Sequence, residues 1–417
     1  MKIALCTVGS TGDLHPFLAL ALQLKAAGHE VKVFSHAFHQ ERFTKRGIDY
    51  HPCGPEVTQE ELNDMLSKML ETTNPIKQLR LLMEEAFFEE KEKYFQDCKD
   101  GTKGFDLAIC HMVDFLGQEA ITQNGIPRIC VVLAPAGIPS KHNGPPFVGN
   151  VGFLNGFTWR ALTFMMKKVA GKATQALIDL GGTVQEIHRF HSLAPDRNFI
   201  AASPTLARTF PDLPEHFRVT GPWTLPEPDY TPSQEILNFL ERHPRPVIVS
   251  FGSMGGNLGP QLTATVLDAL KLTGKAAIIQ SGYAGLFSEQ APENVFFADY
   301  IPHGWLFAQG SCVVHHGGAG TTTSACRAGV PSVVVTFIAD QPYFGSNLKR
   351  VGLAPRMLWY RHLTPKRLAK RIRIASEDAA MQAKAKELQP VFQAEEGTAR
   401  AVEYIEQYAR EIGLMTA

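Results

Sequence analysis

The stretch CVVHHGGAGTTTSACRAGVPSVVV, Cys312–Val335, joins an apolar run to two histidines, a nest of small residues and three threonines. An apolar run of this length reads as a buried strand, and the residues from Gly320 onward have the periodicity of a helix. A strand that runs through glycines into a helix is a place to bind an anion. The first N–H groups of a helix have no partner within it, and its macrodipole is positive there. Small residues let a phosphate approach the backbone, Thr321 and Thr322 add hydroxyls, and His315 at the strand end can donate to a phosphate oxygen. The same residues also fit a tight strand–helix packing turn. The stretch is neither G-x-x-x-x-G-K-[ST] nor G-x-G-x-x-G, so the phosphate-loop and dinucleotide fingerprints lose support.

Working outward, the alternation of strand and helix repeats. Before the loop come strands at Val247–Phe251, Ala276–Gln280 and Val295–Ala298, with a helix from Pro260 to Leu272. After it come a strand at Ser332–Thr336, a helix near Tyr343–Val351, and terminal helices at Thr364–Leu388 and Thr398–Ile412. The first half opens with a strand at Lys2–Val8, the turn Gly9-Ser10-Thr11-Gly12-Asp13, a helix over His15–Ala27 closed by Gly28, and a strand at Glu30–Ser35. Strand, helix and strand within about 35 residues make a βαβ unit with parallel strands. Further strands are expected at Asp106–Cys110, Arg128–Leu133 and Asn198–Ala201. Continuous apolar strands such as ICVVL imply sheets covered on both faces. The six prolines between Pro222 and Pro246 mark a connection. The expected organisation is therefore an N-terminal Rossmann-like domain over 1–222, a linker over 223–246, a C-terminal Rossmann-like domain over 247–395 and a last helix over 396–417.

Composition sets limits on function. The chain has 417 residues, with 41 Lys plus Arg and 41 Asp plus Glu, so its formal net charge is zero and no bulk attraction to nucleic acid or anionic membrane follows. Its hydrophobic fraction of 44% fits globular domains. The seven cysteines are scattered, without a C-x-x-C pair, which points to a reducing cytoplasmic compartment with neither disulfides nor a zinc site. The N-terminus lacks the pattern of a signal peptide, and no window approaches the roughly 18 apolar residues of a membrane span.

The run HHGGAGTT followed by RAGVPSVVVTFIADQPYFG resembles the donor signature of the inverting nucleotide-sugar glycosyltransferases with the GT-B fold. The likeness is strongest to sterol glucosyltransferases and to bacterial enzymes that glycosylate macrolide or glycopeptide aglycones. The turn V-G-S-T-G-D-L-H-P resembles the family's first loop. The resemblance implies an α/β chain with two doubly wound parallel-sheet domains facing across a cleft. It places the acceptor in the first domain and the nucleotide sugar in the second, and the last helix returns to the first domain. It also implies no metal and no cofactor beyond a UDP-sugar or dTDP-sugar co-substrate. No Asp-x-Asp occurs in the chain to hold a divalent ion on the diphosphate.

Carried over position by position, the resemblance makes His315 a diphosphate contact. Gly317, Gly318, Ala319, Gly320 and Thr321 become the backbone cradle, and Asp340 and Gln341 the pair that holds sugar hydroxyls. Asp340 before Pro342 also suits a helix N-cap. Tyr300, Ile301 and His303 fall where the family frames the nucleotide base, although plant members carry Trp and Gln at the positions of Tyr300 and His303. Ser253 matches a phosphate-contacting serine, and Ser10, Thr11 and Gly12 are expected near the diphosphate. Asp13 stands where plant members have a catalytic histidine and the sterol and aglycone enzymes have Asp. An acceptor hydroxyl is a poor nucleophile until its proton is taken, so Asp13 is the expected general base. The other reading of Asp13 is a helix N-cap.

The acceptor side is carried by composition. GPPFVGNVGFLNGFTWRALTFMMKKVAGKA is rich in aromatics and Met with interspersed Arg160, Lys167, Lys168 and Lys172. Phe147, Phe153 and Trp159, with His111 after the strand at 106–110, are the acceptor-pocket candidates; His111 falls near where plant members carry a second acid that orients the base, and it reads equally as a structural histidine. Over 141–173 three readings stand open: a wall or lid for a lipophilic aglycone, a peripheral membrane contact through 147–172 at the inner face of a membrane, and an ordinary amphipathic helix. The segment between Leu66 and Phe95 is a candidate for the opposite wall. The expected activity is transfer of a hexose, glucose from UDP-glucose in the simplest case, to a hydroxyl of a sterol, polyketide or lipid. A dTDP-deoxysugar donor, a sugar-nucleotide 2-epimerase and a non-catalytic partner of the same fold are the alternatives.

Overall fold

In a computed structural model of the chain, the continuous apolar runs become strands buried on both faces. The structure describes residues 1–56, 61, 68, 72, 91–145, 151–169, 171–182, 194, 197–207, 210–227, 229–252, 254, 258–282, 285–288, 291–338 and 340–416. Phe147, Ser253 and most of the segment between Leu66 and Phe95 lie outside these residues. The chain divides into two units. One comprises Met1–Pro204, Arg208–Leu225 and Glu396–Ala417, and the other Thr205–Ala207 and Pro226–Glu395.

The first unit holds a parallel sheet of β1 (Lys2–Cys6), β2 (Glu30–Ser35), β3 (Asp49–Pro52), β4 (Leu107–His111), β5 (Arg128–Val132), β6 (Asn198–Ile200) and β7 (Phe217–Val219). Their order is β3-β2-β1-β4-β5-β6-β7. Side-chain alternation divides its faces. Ile3, Leu5, Leu107, Ile109, Ile129 and Val131 enter a cluster with Leu14, Leu18 and Phe17 of the helix Thr11–Ala26 and Ala401 and Ile405 of the helix Gly397–Glu411. Ala4, Cys6, Ala108 and Cys110 face the other way, where small residues let the helices Lys91–Gly101 and Phe115–Gln123 pack close. All seven cysteines are free and buried and serve as small apolar side chains.

The second unit repeats the plan with β8 (Val247–Ser250), β9 (Ala277–Gln280), β10 (Val295–Ala298), β11 (Cys312–His315), β12 (Ser332–Thr336) and β13 (Leu358–Trp359), in the order β10-β9-β8-β11-β12-β13. In both sheets every pairing is parallel, and the direction of winding reverses beside the first strand, between β1 and β4 and between β8 and β11. In such sheets ligands bind beyond the carboxyl ends of the strands at that reversal.

Three expectations need correction. The stretch 223–246 is not a bare linker: it contains the helix Gln234–Arg242, capped by Ser233, whose Ile236 and Phe239 enter the core of the second unit. The segment 364–388 is two helices, Pro365–Glu377 and Ala379–Gln393. Asp378 ends the first and caps the second by accepting from Met381 N. The first helix starts at Thr11, four residues before His15, because Ser10 caps it.

Candidate functional site

Beyond β1 the chain turns at Gly9, whose φ is +121°; a Cβ there would lie 2.5 Å from Asp13 Oδ2, so only glycine fits. Ser10 is the N-cap of the helix Thr11–Ala26 and Asp13 its third residue, and together they form a capping box. Ser10 Oγ accepts from Gly12 N at 3.3 Å and donates to Asp13 Oδ2 at 3.0 Å, and Ser10 N donates to the same oxygen at 2.8 Å. The N-cap reading of Asp13 thus gives way to this position. The turn is fixed from outside as well. His39 Nε2 donates to Gly9 O at 3.1 Å, and Arg42 Nη1 donates to Thr11 Oγ1 at 3.0 Å. Neither residue is singled out by any sequence signal.

His111, expected near an acceptor pocket, sits instead directly behind Asp13. β1 and β4 are neighbours with Cys6 opposite Cys110, which carries the end of β4 beside the first turn. His111 Nε2 lies 3.9 Å from Asp13 Oδ1; the imidazole is 3% exposed and the carboxylate 34%. Its Nδ1 donates to Val8 O at 3.2 Å. Burial pushes the His111 pKa down, while the Asp13 charge and the Val8 carbonyl pull it back.

The turn beyond β11 is built differently. Gly317 has φ +89°, and a Cβ there would meet Val334 Cγ1 at 2.7 Å and Gln341 O at 3.1 Å. Gly318 is the N-cap of the helix Ala319–Ala328 and offers no side-chain acceptor. Thr322 N reaches Gly318 O at 2.9 Å, so the N–H groups of Gly318, Ala319, Gly320 and Thr321 precede the first helical bond. His315 is fully buried, and its Nδ1 accepts from Gly317 N at 3.1 Å. That bond fixes the neutral tautomer with the proton on Nε2. Among the described residues Nε2 has no hydrogen-bond partner, nor does Thr322 Oγ1 or His316 Nδ1. Burial, with His316 and His303 nearby, holds the His315 pKa down at about 3, and burial holds His316 and His303 at about 4. His315 is therefore an uncharged N–H donor.

The other expected donor residues divide. Tyr300 is 73% exposed. Ile301 is a core residue whose carbonyl accepts from Gln280 Nε2 at 2.9 Å, and the His303 ring stacks on Phe307 at 4.4 Å while its Nε2 lies 3.4 Å from Ser250 Oγ. Neither side chain of that pair is open to frame a base. Asp340 occupies the N-cap position of the helix Gln341–Arg350 without a side-chain capping bond. Gln341 is 4% exposed; its Oε1 accepts from Phe337 N at 2.7 Å and Ile338 N at 3.2 Å, and its Nε2 donates to Met254 Sδ at 3.1 Å. Here Gln341 closes its own loop rather than presenting its amide.

Of the acceptor candidates, Trp159 is core, 5% exposed with Nε1 donating to Asn143 O at 2.7 Å. Phe153 is 95% exposed, and Phe157 and Phe164 share its exposure. The helix Asn155–Val169 thus buries Trp159 and Leu162 and turns aromatic residues outward as well, unlike an ordinary amphipathic cover. Among the described residues no three His, Cys, Asp or Glu side chains gather as a metal site, and no helix is long and apolar enough to cross a membrane.

Comparison with known proteins reaches both turns. Residues 3–91 match the glycosyltransferase family 28 N-terminal domain, and residues 266–405 match the erythromycin biosynthesis protein CIII-like C-terminal domain. The chain has the GT-B fold and resembles glycosyltransferases in both matched segments. It is 27% identical to a sterol 3-beta-glucosyltransferase of Arabidopsis thaliana over 97% of its own length and 67% of the relative's. It is 25% identical to a sterol 3-beta-glucosyltransferase of Emericella nidulans, of which it spans 30%. Among solved structures it resembles the glycosyltransferase of kitacinnamycin, with a TM-score of 0.73 and 20% identity over 97% of this chain and 98% of that one. It also resembles the glycosyltransferase VinC in complex with dTDP, with a TM-score of 0.68 and 20% identity over 99% and 100% of the two chains. At those identities the two structures speak for the fold alone.

Proposed function

We propose that this glycosyltransferase moves a hexose from a nucleoside-diphosphate sugar, UDP-glucose in the simplest case, to the hydroxyl of a lipophilic acceptor of the sterol class, with inversion at the anomeric carbon. The observation that carries the donor half is the unpartnered Nε2–H of buried His315 at an uncapped helix N-terminus. A buried donor left without an acceptor is costly, and a diphosphate oxygen supplies one. Thr322 Oγ1 and the first helical N–H groups add donors where negative charge grows as the diphosphate departs.

The acceptor half rests on Asp13. Its Oδ2 carries both Ser10 donors, which leaves Oδ1 to take the hydroxyl proton. No step in this account calls on a metal. The sterol class is supported by the curated relatives, and the outward aromatic face at Phe153, Phe157 and Phe164 fits contact with an apolar acceptor or with the bilayer that holds it. A dTDP-deoxysugar donor is the second reading, favoured by the likeness to a structure solved with dTDP. The test is turnover of purified protein with UDP-glucose or a dTDP-hexose and a sterol, with and without a chelator. Sterol glucoside from UDP-glucose is the expected product. Transfer only from dTDP-sugars would move the donor assignment, and transfer from neither would sink the reading.

A further inference from the structure

We infer that the outward face of the helix Asn155–Val169, with the turn Gly152–Leu154 that precedes it, is a docking surface for an anionic lipid bilayer. Val151, Phe153, Leu154, Phe157, Phe164 and Met165 are all exposed, and Phe153 is exposed to 95%. Elsewhere among the described residues, large exposed apolar side chains stand singly along the chain, which is ordinary for a protein surface. Steps of four and three residues put Phe157, the exposed Ala161 and Phe164 on one side of the helix. The helix cannot roll to hide them, because its other side is pinned. Trp159 and Leu162 enter the core, and Trp159 Nε1 donates to Asn143 O at 2.7 Å. Buried Asn155 accepts from Val151 N at 2.9 Å and donates to Lys141 O at 3.1 Å.

Charge decides what covers this face. From Lys141 to Ile178 the chain carries Lys141, Arg160, Lys167, Lys168 and Lys172 and no Asp or Glu, whereas the whole chain balances 41 Lys plus Arg against 41 Asp plus Glu. Lys141 and Arg160 are exposed. Aromatic side chains set among basic ones suit a bilayer surface: the rings enter the boundary between headgroups and acyl chains, and the cations meet lipid phosphates. A second copy seated on the same face would bring like charges together with no acid to answer them. A small soluble acceptor needs a concave site that buries most of its surface, and a side chain 95% exposed lines no such site. Among the described residues no helix is long and apolar enough to cross a membrane, so the contact is peripheral. The docking surface stands independently of the proposed transfer reaction.

The test is cosedimentation of the full chain, without nucleotide or acceptor, with vesicles of phosphatidylcholine alone and of phosphatidylcholine with one quarter phosphatidylglycerol. Tighter binding to the anionic vesicles, weakened by high salt, is the expected result. Serine at Phe153, Phe157 and Phe164 together should weaken that binding roughly tenfold or more. Arg160→Glu should weaken it roughly fivefold or more, since each basic residue near such a surface contributes about that factor. Both variants should melt at the wild-type temperature; if the triple variant does not fold, Arg160→Glu is read alone. No binding to anionic vesicles, equal binding to both kinds, or binding that neither variant weakens would overturn the inference. So would a wild-type dimer that the triple variant splits while vesicle binding stays unchanged, because the face would then belong to a second copy. None of these outcomes touches the transfer reading, and a chain that binds vesicles but transfers no sugar would sink that reading alone.

Discussion

The turn after β1 and the turn after β11 solve one backbone problem in opposite ways. Each leaves a buried strand at the reversal of its sheet, bends at a glycine with positive φ and starts a helix. At the first, the chain supplies its own acceptors: Ser10 and Asp13 occupy the opening N–H groups as a capping box. At the second, Gly318 supplies none, and His315 and Thr322 are left with unpartnered polar atoms. A helix start with a carboxylate already in place repels a diphosphate and keeps a base; one without it invites the anion. On the proposed reading, two similar turns perform different halves of one reaction.

That contrast can be broken at each turn. The largest effect is expected from Asp13→Asn, which removes the charge and keeps an amide oxygen for the cap. Turnover should fall roughly 100- to 10,000-fold, the span of a lost general base. Calorimetry should show nucleotide affinity intact; preserved turnover would return Asp13 to a purely capping role. The next effect is on His315→Ala. Loss of a hydrogen bond to a charged acceptor, about 1.5–3 kcal/mol, should weaken UDP or dTDP binding roughly 10- to 150-fold. An unchanged dissociation constant would make the second turn as closed in function as the first is in structure. The smallest effect belongs to Ser10→Ala, which opens the first turn without touching charge. A lost N-cap costs about 1 kcal/mol, a shift of roughly 2–4 °C in the melting temperature of a domain of this size. A melting curve identical to wild type would mean that Arg42 and His39 alone hold that loop.

The difference between the turns was partly legible in the sequence. Ser10-x-x-Asp13 is a capping-box pattern and HHGGAGTT is not, and strands such as β2, β11 and β12 inside their sheets, and β10 at an edge, fall where their apolar runs stand. β3, β7 and β13 were not legible. They lie at or near sheet edges, and Asp49-Tyr50-His51-Pro52, Phe217-Arg218-Val219 and Leu358-Trp359 are short, mixed segments that take strand form from the neighbour they pair with. The approach of His111 to Asp13 was legible only through the resemblance. It depends on β1 and β4 being adjacent, across nearly a hundred residues of chain. The internal bonds of Gln341 were not legible either, because a motif names a residue type and not which way its amide turns. Here two backbone N–H groups claim its oxygen.

The helix Gly397–Glu411 packs Ala401, Val402, Ile405 and Tyr408 into the same cluster as Ile3, Leu5 and Leu18. One core is thus built from segments far apart in the chain. During synthesis every residue of the second unit has left the ribosome before the first unit receives this helix. The unit that is begun earlier is completed later. Until then one face of β1 and its neighbours stays partly uncovered, a state in which exposed apolar surface invites misassociation and chaperones.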